Sequence, residues 1–130
     1  MNFSPVKLRA ASILGFTGVA LGAFGAHALK GYWEGSLEAA EVAYRLDIWK
    51  TAVFYHLTHA VALMVLAFGC PEKHQAKAAS WCFVLGINIF SGSLYMLAIT
   101  GLKWMGAIVP LGGVAFLIGW LLLAFQKKQA

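Results

Sequence analysis

The sequence predicts an all-α integral membrane protein, a four-helix bundle with its N- and C-termini both cytoplasmic, and three observations carry that expectation. Apolar residues fill 61% of 130 positions and the mean hydropathy is +0.75, whereas soluble domains hold about 45–50% apolar residues. Charges divide the chain into four uncharged runs, 10–29, 51–71, 78–102 and 104–126. Each run is about 30 Å or longer as a helix, enough to cross a hydrocarbon core of about 30 Å. The runs lack period-two alternation, which sets aside a β-barrel, the other arrangement a bilayer tolerates.

The length fits one transmembrane domain over residues 1–130, with spans at about 10–29, 51–70, 78–100 and 104–125. An even number of spans places Lys7, Arg9, Lys73, Lys77, Lys127 and Lys128 on one face. Lys30, Arg45, Lys50 and Lys103 lie on the other, diluted by Glu34, Glu38, Glu41 and Asp47. The excess of basic residues on the first face predicts a multi-pass protein of the plasma (inner) membrane with that face in the cytoplasm. The net charge of +5 sits in short clusters between apolar runs, so anionic headgroups, not nucleic acid, are the expected counter-charge. Cys70 and Cys82 match no metal, haem-attachment or redox spacing.

In the first span Lys7 and Arg9, an apolar stretch and Ala26-His27-Ala28 imitate a secretory signal, and we read the segment as a retained helix. Gly15, Gly18, Gly22 and Gly25 are spaced 3, 4 and 3. That spacing makes a stripe containing a G-x-x-x-G, against which another backbone can pack closely, either within the chain or in a second copy. His27 lies about 27 Å along the helix from Arg9, at interface depth. An amphipathic segment follows at about 36–50. There Ser36 is a candidate cap, Glu41 and Arg45 form an i, i+4 pair, and Val42, Leu46 and Trp49 supply the apolar side. It lies along the interface or extends the second span.

The second span carries Thr51, Tyr55, Thr58 and His59 within about 100° of arc, with His56 further round. The third carries Asn88, Ser91, Gly92 and Tyr95 at i, i+3, i+4, i+7. By helical rise His59 is about 13 Å from Lys50 and Asn88 about 16 Å from Lys77, nearly one level in antiparallel helices. The expected interior network is Tyr55, His56, His59, Asn88, Ser91 and Tyr95, with His59 and Asn88 face to face or sharing a water, because an unpaired polar group in hydrocarbon costs several kcal/mol. In the fourth span Pro110 leaves the Gly106 carbonyl without its helical partner, which predicts a kink. Gly112 and Gly113, with Gly119, then allow close packing, and Trp104 and Trp120 are placed towards the two interfaces.

Four motifs, GAFGAHAL (22–29), YHLTHAVAL (55–63), FSGSLYMLAI (90–99) and PLGGVAFLIGW (110–120), resemble the signatures of the YgdD and YwdK family. These are small bacterial inner-membrane proteins classed as a domain of unknown function, with an animal relative among the transmembrane proteins. The resemblance covers nearly the whole chain with its motifs in order. It implies a four-helix membrane protein and brings no established reaction. His56 stands where the family usually shows Gln, and Val109 where Thr usually precedes Pro110.

All five acidic residues lie outside the uncharged runs, and no nucleophile is paired with a base, so the sequence offers no catalytic residues, no metal site and no cofactor. The expected role is a non-enzymatic interaction or lipid-binding bundle, with membrane lipids as partners and a second copy or another membrane protein as further candidates. The alternatives are a redox bundle in which His56 or His59 holds quinone or haem, and a small oligomeric transporter or channel.

Overall fold

The computed structural model describes residues 2–69 and 74–127. Four helical segments long and apolar enough to cross a membrane run through them: α1 (Pro5–Glu34), α2 (Ala39–Gly69), α3 (His74–Thr100) and a fourth, Lys103–Ala124, which opens with a 3₁₀ turn over Lys103–Ala107 and continues as the α-helix α4 (Val109–Ala124). No strand occurs among the described residues.

Helix α1 starts at Pro5, five residues before the expected span. The Ser4 Oγ accepts from the Lys7 N–H at 3.4 Å and Pro5 occupies the first turn, where a missing N–H costs nothing. The Ser4 N–H donates to the Ala67 carbonyl at 2.9 Å, tying this end of α1 to the end of α2. Helix α1 continues past the expected boundary at 29, through Lys30, to Glu34. Two π-helical turns interrupt the helices. Gly25–Leu29 lies in α1 and Ile87–Ser91 in α3; Lys30 N–H bonds to the Gly25 carbonyl and Gly92 N–H to the Ile87 carbonyl. Each turn inserts one residue and so offsets the faces on its two sides by roughly one residue's rotation, about 100°.

The amphipathic segment extends the second span: α2 is continuous over 31 residues, about 46 Å, so its first three turns project beyond the hydrocarbon. Ser36 does not cap it, since its hydroxyl donates back to the Tyr32 carbonyl at 2.9 Å. Helix α3 ends at Gly101, whose φ of +71° is the left-handed conformation that glycine adopts without strain; its N–H returns to the Leu97 carbonyl at 2.8 Å. Arg45 completes that end. Its guanidinium donates to the Ala98 and Ile99 carbonyls at 3.2 and 3.0 Å and to Glu41 at 2.8 Å. The pair read from spacing therefore also closes a helix terminus in another element, where the dipole favours a cation.

Pro110 does not kink a helix. It sits in the first turn of α4, where its fixed φ and missing N–H suit a helix start, and the 3₁₀ turn before it absorbs the break.

Helices α2 and α3 form the centre and α1 and α4 flank them; the most apolar windows of α2 and α3 are 39% and 44% buried, against 11% and 17% for α1 and α4. One core cluster gathers Ala11, Leu63, Ala79, Phe83 and Phe116; another, towards the α3 C-terminus, gathers Trp33, Val42, Trp49 and Ala98. Between α3 and α4 the packing is reciprocal. Gly86 lies against Phe116, Gly112 against Phe90 and Gly119 against Phe83. With no hydrophobic drive between helices in lipid, such close dispersion contacts hold the bundle together.

Candidate functional site

Two polar constellations and one cleft result from this packing. The first crosses three helices. The Thr17 hydroxyl can donate into its own helix, to Ile13 at 3.0 Å or Leu14 at 3.1 Å. Its oxygen lies 3.3 Å from His56 Nε2. His56 Nδ1 lies 2.9 Å from the Tyr95 hydroxyl. With the Thr17 hydroxyl turned into its own helix these contacts fit His56 protonated on Nε2; with that hydroxyl turned to Nε2 and the Tyr95 oxygen accepting from Nδ1–H they fit the other tautomer. Tyr95 packs on Trp49 with ring centroids 4.7 Å apart, and Trp49 Nε1–H donates to the Leu21 carbonyl at 2.8 Å. A side chain at Gly25 would collide with the Trp49 ring, so the glycine in GAFGAHAL is what lets that indole reach α1.

The second constellation centres on His59. Trp120 Nε1–H, a group that only donates, reaches His59 Nε2 at 3.0 Å, and His59 Nδ1 faces the Tyr55 carbonyl, which only accepts, at 2.8 Å. His59 therefore carries its proton on Nδ1. Its ring stacks on Phe116 at 3.7 Å between centroids, interplanar angle 11°, and meets Phe83 edge-on at 5.2 Å.

The structure separates the expected network. His56 joins Tyr95, while buried Ser91 donates to the Ala52 carbonyl of α2 at 2.8 Å. Tyr55 contributes its carbonyl, and its ring is partly exposed against Phe90 and Phe116. Asn88 is not opposite His59. It is exposed and donates to the Val84 carbonyl of its own helix at 2.8 Å. Asn88 lies within the π turn, so the even angular spacing that placed it with Ser91 and Tyr95 does not hold there. Trp120 turns its N–H inward to His59, while Trp104 stays exposed.

The glycine stripe is also shorter than its spacing implies. Gly18, Gly22 and Gly25 face Leu57, Val53 and Trp49 of α2, whereas Gly15 has open space beside it. In the third and fourth spans Gly112 is pressed against Phe90 and Gly113 lies at ordinary contact, but Gly92 is open. Sequence reasoning missed Thr17, whose place between Gly15 and Gly18 was a signal, and the packing role of Gly86. Cys82 is a free thiol, and Cys70 lies outside the described residues. No group of three potential metal ligands occurs among the described residues. His56 and His59 have both ring nitrogens engaged by protein groups, so an iron or quinone would have to displace Thr17, Tyr95 or Trp120.

The third feature is a cleft of about 500 Å³ between α1 and α2, open to the surroundings. Gly22, Gly25 and Ala26 form one wall, and Leu46, Trp49, Val53, Phe54 and Leu57 the other. Lys30 and Lys50 line it as well. Lys30 is about 31 Å along α1 from Arg9, and Lys50 about 28 Å along α2 from Gly69, each close to one hydrocarbon thickness. By helical rise the two lysines thus stand at one level, with Val53, Phe54 and Leu57 deeper and Leu46 and Trp49 at or outside that level.

Residues 21–113 match the profile of a family described as "Protein of unknown function (DUF423)". The UPF0382 membrane protein YwdK of Bacillus subtilis is 43% identical over 108 residues, 81% of each chain. The UPF0382 inner membrane protein YgdD of Escherichia coli is 37% identical over 119 residues, 87% of this chain and 82% of its own. No solved structure matches. The order of the motifs, the four spanning helices and these identities agree: this chain is a multi-pass inner-membrane protein and belongs to the DUF423 family of UPF0382 membrane proteins.

Proposed function

We propose that this protein is a non-enzymatic lipid-binding bundle, oriented with both termini in the cytoplasm, whose α1–α2 cleft takes the acyl chain of a membrane lipid. The cleft carries the reading. It is mostly apolar, is open to the surroundings between two spanning helices, and falls within the size range of small-ligand sites, about 300–1,000 Å³. Gly22 and Gly25 let Val53 and Trp49 of α2 approach α1 closely there. The two histidine constellations serve as packing, since each imidazole is satisfied within the protein, and they set helix register more than stability.

The test is mass spectrometry of what copurifies under mild extraction, for the wild type and for Ala26→Phe, which fills the cleft from its wall. Retained phospholipid that is lost in Ala26→Phe is the expected result. A stoichiometric quinone, a Soret band in the visible spectrum, or lipid retention unaffected by Ala26→Phe would refute the reading.

A further inference from the structure

We propose that the interface end of this cleft selects an anionic glycerophospholipid, with Lys30 and Lys50 holding its phosphate; the inference rests on the lipid reading of the cleft. Four observations lead to it. Both lysines line the cleft, one from each wall. Lys30 stands about 31 Å along α1 from Arg9 and Lys50 about 28 Å along α2 from Gly69, each near one hydrocarbon thickness, the level at which a lipid whose tail lies along Val53 and Leu57 carries its phosphate. Lys50 makes no ion pair among the described residues. The nearby donors that would compete for the headgroup are already used: Arg45 on Glu41 and the α3 carbonyls, and Trp49 Nε1 on Leu21.

The opposing charges are few and exposed. Glu34 lies 3.9 Å from Lys30, with both side chains more than half in solvent, a loose contact that a phosphate can displace or share. Asp47, one turn before Lys50, is exposed, and its carbonyl accepts from Thr51. Two lysines converging on one apolar slot discriminate by headgroup charge, because a zwitterionic lipid brings its own ammonium into the same space. Each lysine near an anionic surface contributes roughly a five-fold preference, and Lys50, unpaired, carries the larger share.

The experiment is native mass spectrometry of the full chain in detergent, titrated with phosphatidylglycerol and phosphatidylethanolamine of matched acyl chains. The wild type is expected to retain phosphatidylglycerol over phosphatidylethanolamine by between about five-fold, from Lys50 alone, and about 25-fold, from both lysines. The Lys30→Gln/Lys50→Gln variant is expected to lose that ratio while binding phosphatidylethanolamine as before, with Lys50→Arg keeping it. Equal retention of the two lipids by the wild type, or a ratio that survives the double substitution, overturns the headgroup assignment and leaves the cleft reading standing. Retention of neither lipid overturns both.

Discussion

Replacing Gly112 with alanine tests the packing argument at its sharpest point, because Gly113 beside it serves as the control. A Cβ on Gly112 would stand 2.6 Å from the Cβ and 2.7 Å from the Cα of Phe90. Comfortable separation between carbons is about 3.5–4.0 Å, so α3 and α4 must part by about 1 Å, and the obstacle includes backbone that no rotamer change relieves. Overpacking of this kind costs about 1–3 kcal/mol, and the better helix propensity of alanine returns at most about 1 kcal/mol. A net loss of about 1–2 kcal/mol is expected. The same substitution at Gly113 meets Phe90 only at 3.8 Å, an ordinary contact, and is expected to be neutral or to stabilise by up to about 1 kcal/mol. Equilibrium unfolding in mixed micelles with increasing dodecyl sulfate measures both. If Gly112→Ala unfolds no earlier than wild type, or if both variants lose the same stability, the close approach of α3 and α4 is wrong.

The His59 tautomer gives a second test: nitrogen NMR of the labelled imidazoles is expected to show His59 protonated on Nδ1, and a proton on its Nε2 would contradict the pairings with Trp120 and Tyr55. Trp120→Phe keeps the ring and removes the donor to His59. In a double-mutant cycle with His59→Ala the coupling is expected near 0.6 kcal/mol and below about 1.7, the range of interhelical bonds in membranes; zero coupling means the bond is not made. Arg45→Met removes the cation from the α3 terminus while keeping an apolar stem. Charged hydrogen bonds of this kind are worth about 1.5–3 kcal/mol, so amide exchange at 97–101 is expected to accelerate while exchange in the middle of α3 does not; unchanged exchange at 97–101 refutes the cap.

The four spans were legible in the sequence because crossing a bilayer depends on composition along a short stretch: length and apolarity suffice wherever the backbone must satisfy itself. The Glu41–Arg45 pair was legible for the same reason, as a local spacing on one helix. What the sequence could not assign is which faces meet. Gly112 and Gly113 are equivalent as letters, yet one is pressed against Phe90 and the other is at ordinary contact; Gly15 and Gly18 share a stripe, yet only Gly18 touches α2. The π turns at Gly25–Leu29 and Ile87–Ser91 shift helix phase part-way along, so angular arithmetic placed Asn88 inside when it faces out. Helix rotation also sent His59 to Trp120 instead of Asn88, and brought Lys30 and Lys50, far apart in the chain, to the same cleft. Apolarity and glycine content are properties of single stretches and are read one helix at a time, whereas the partners of the polar groups depend on the relative rotation and depth of packed helices, which exist only once the bundle has formed.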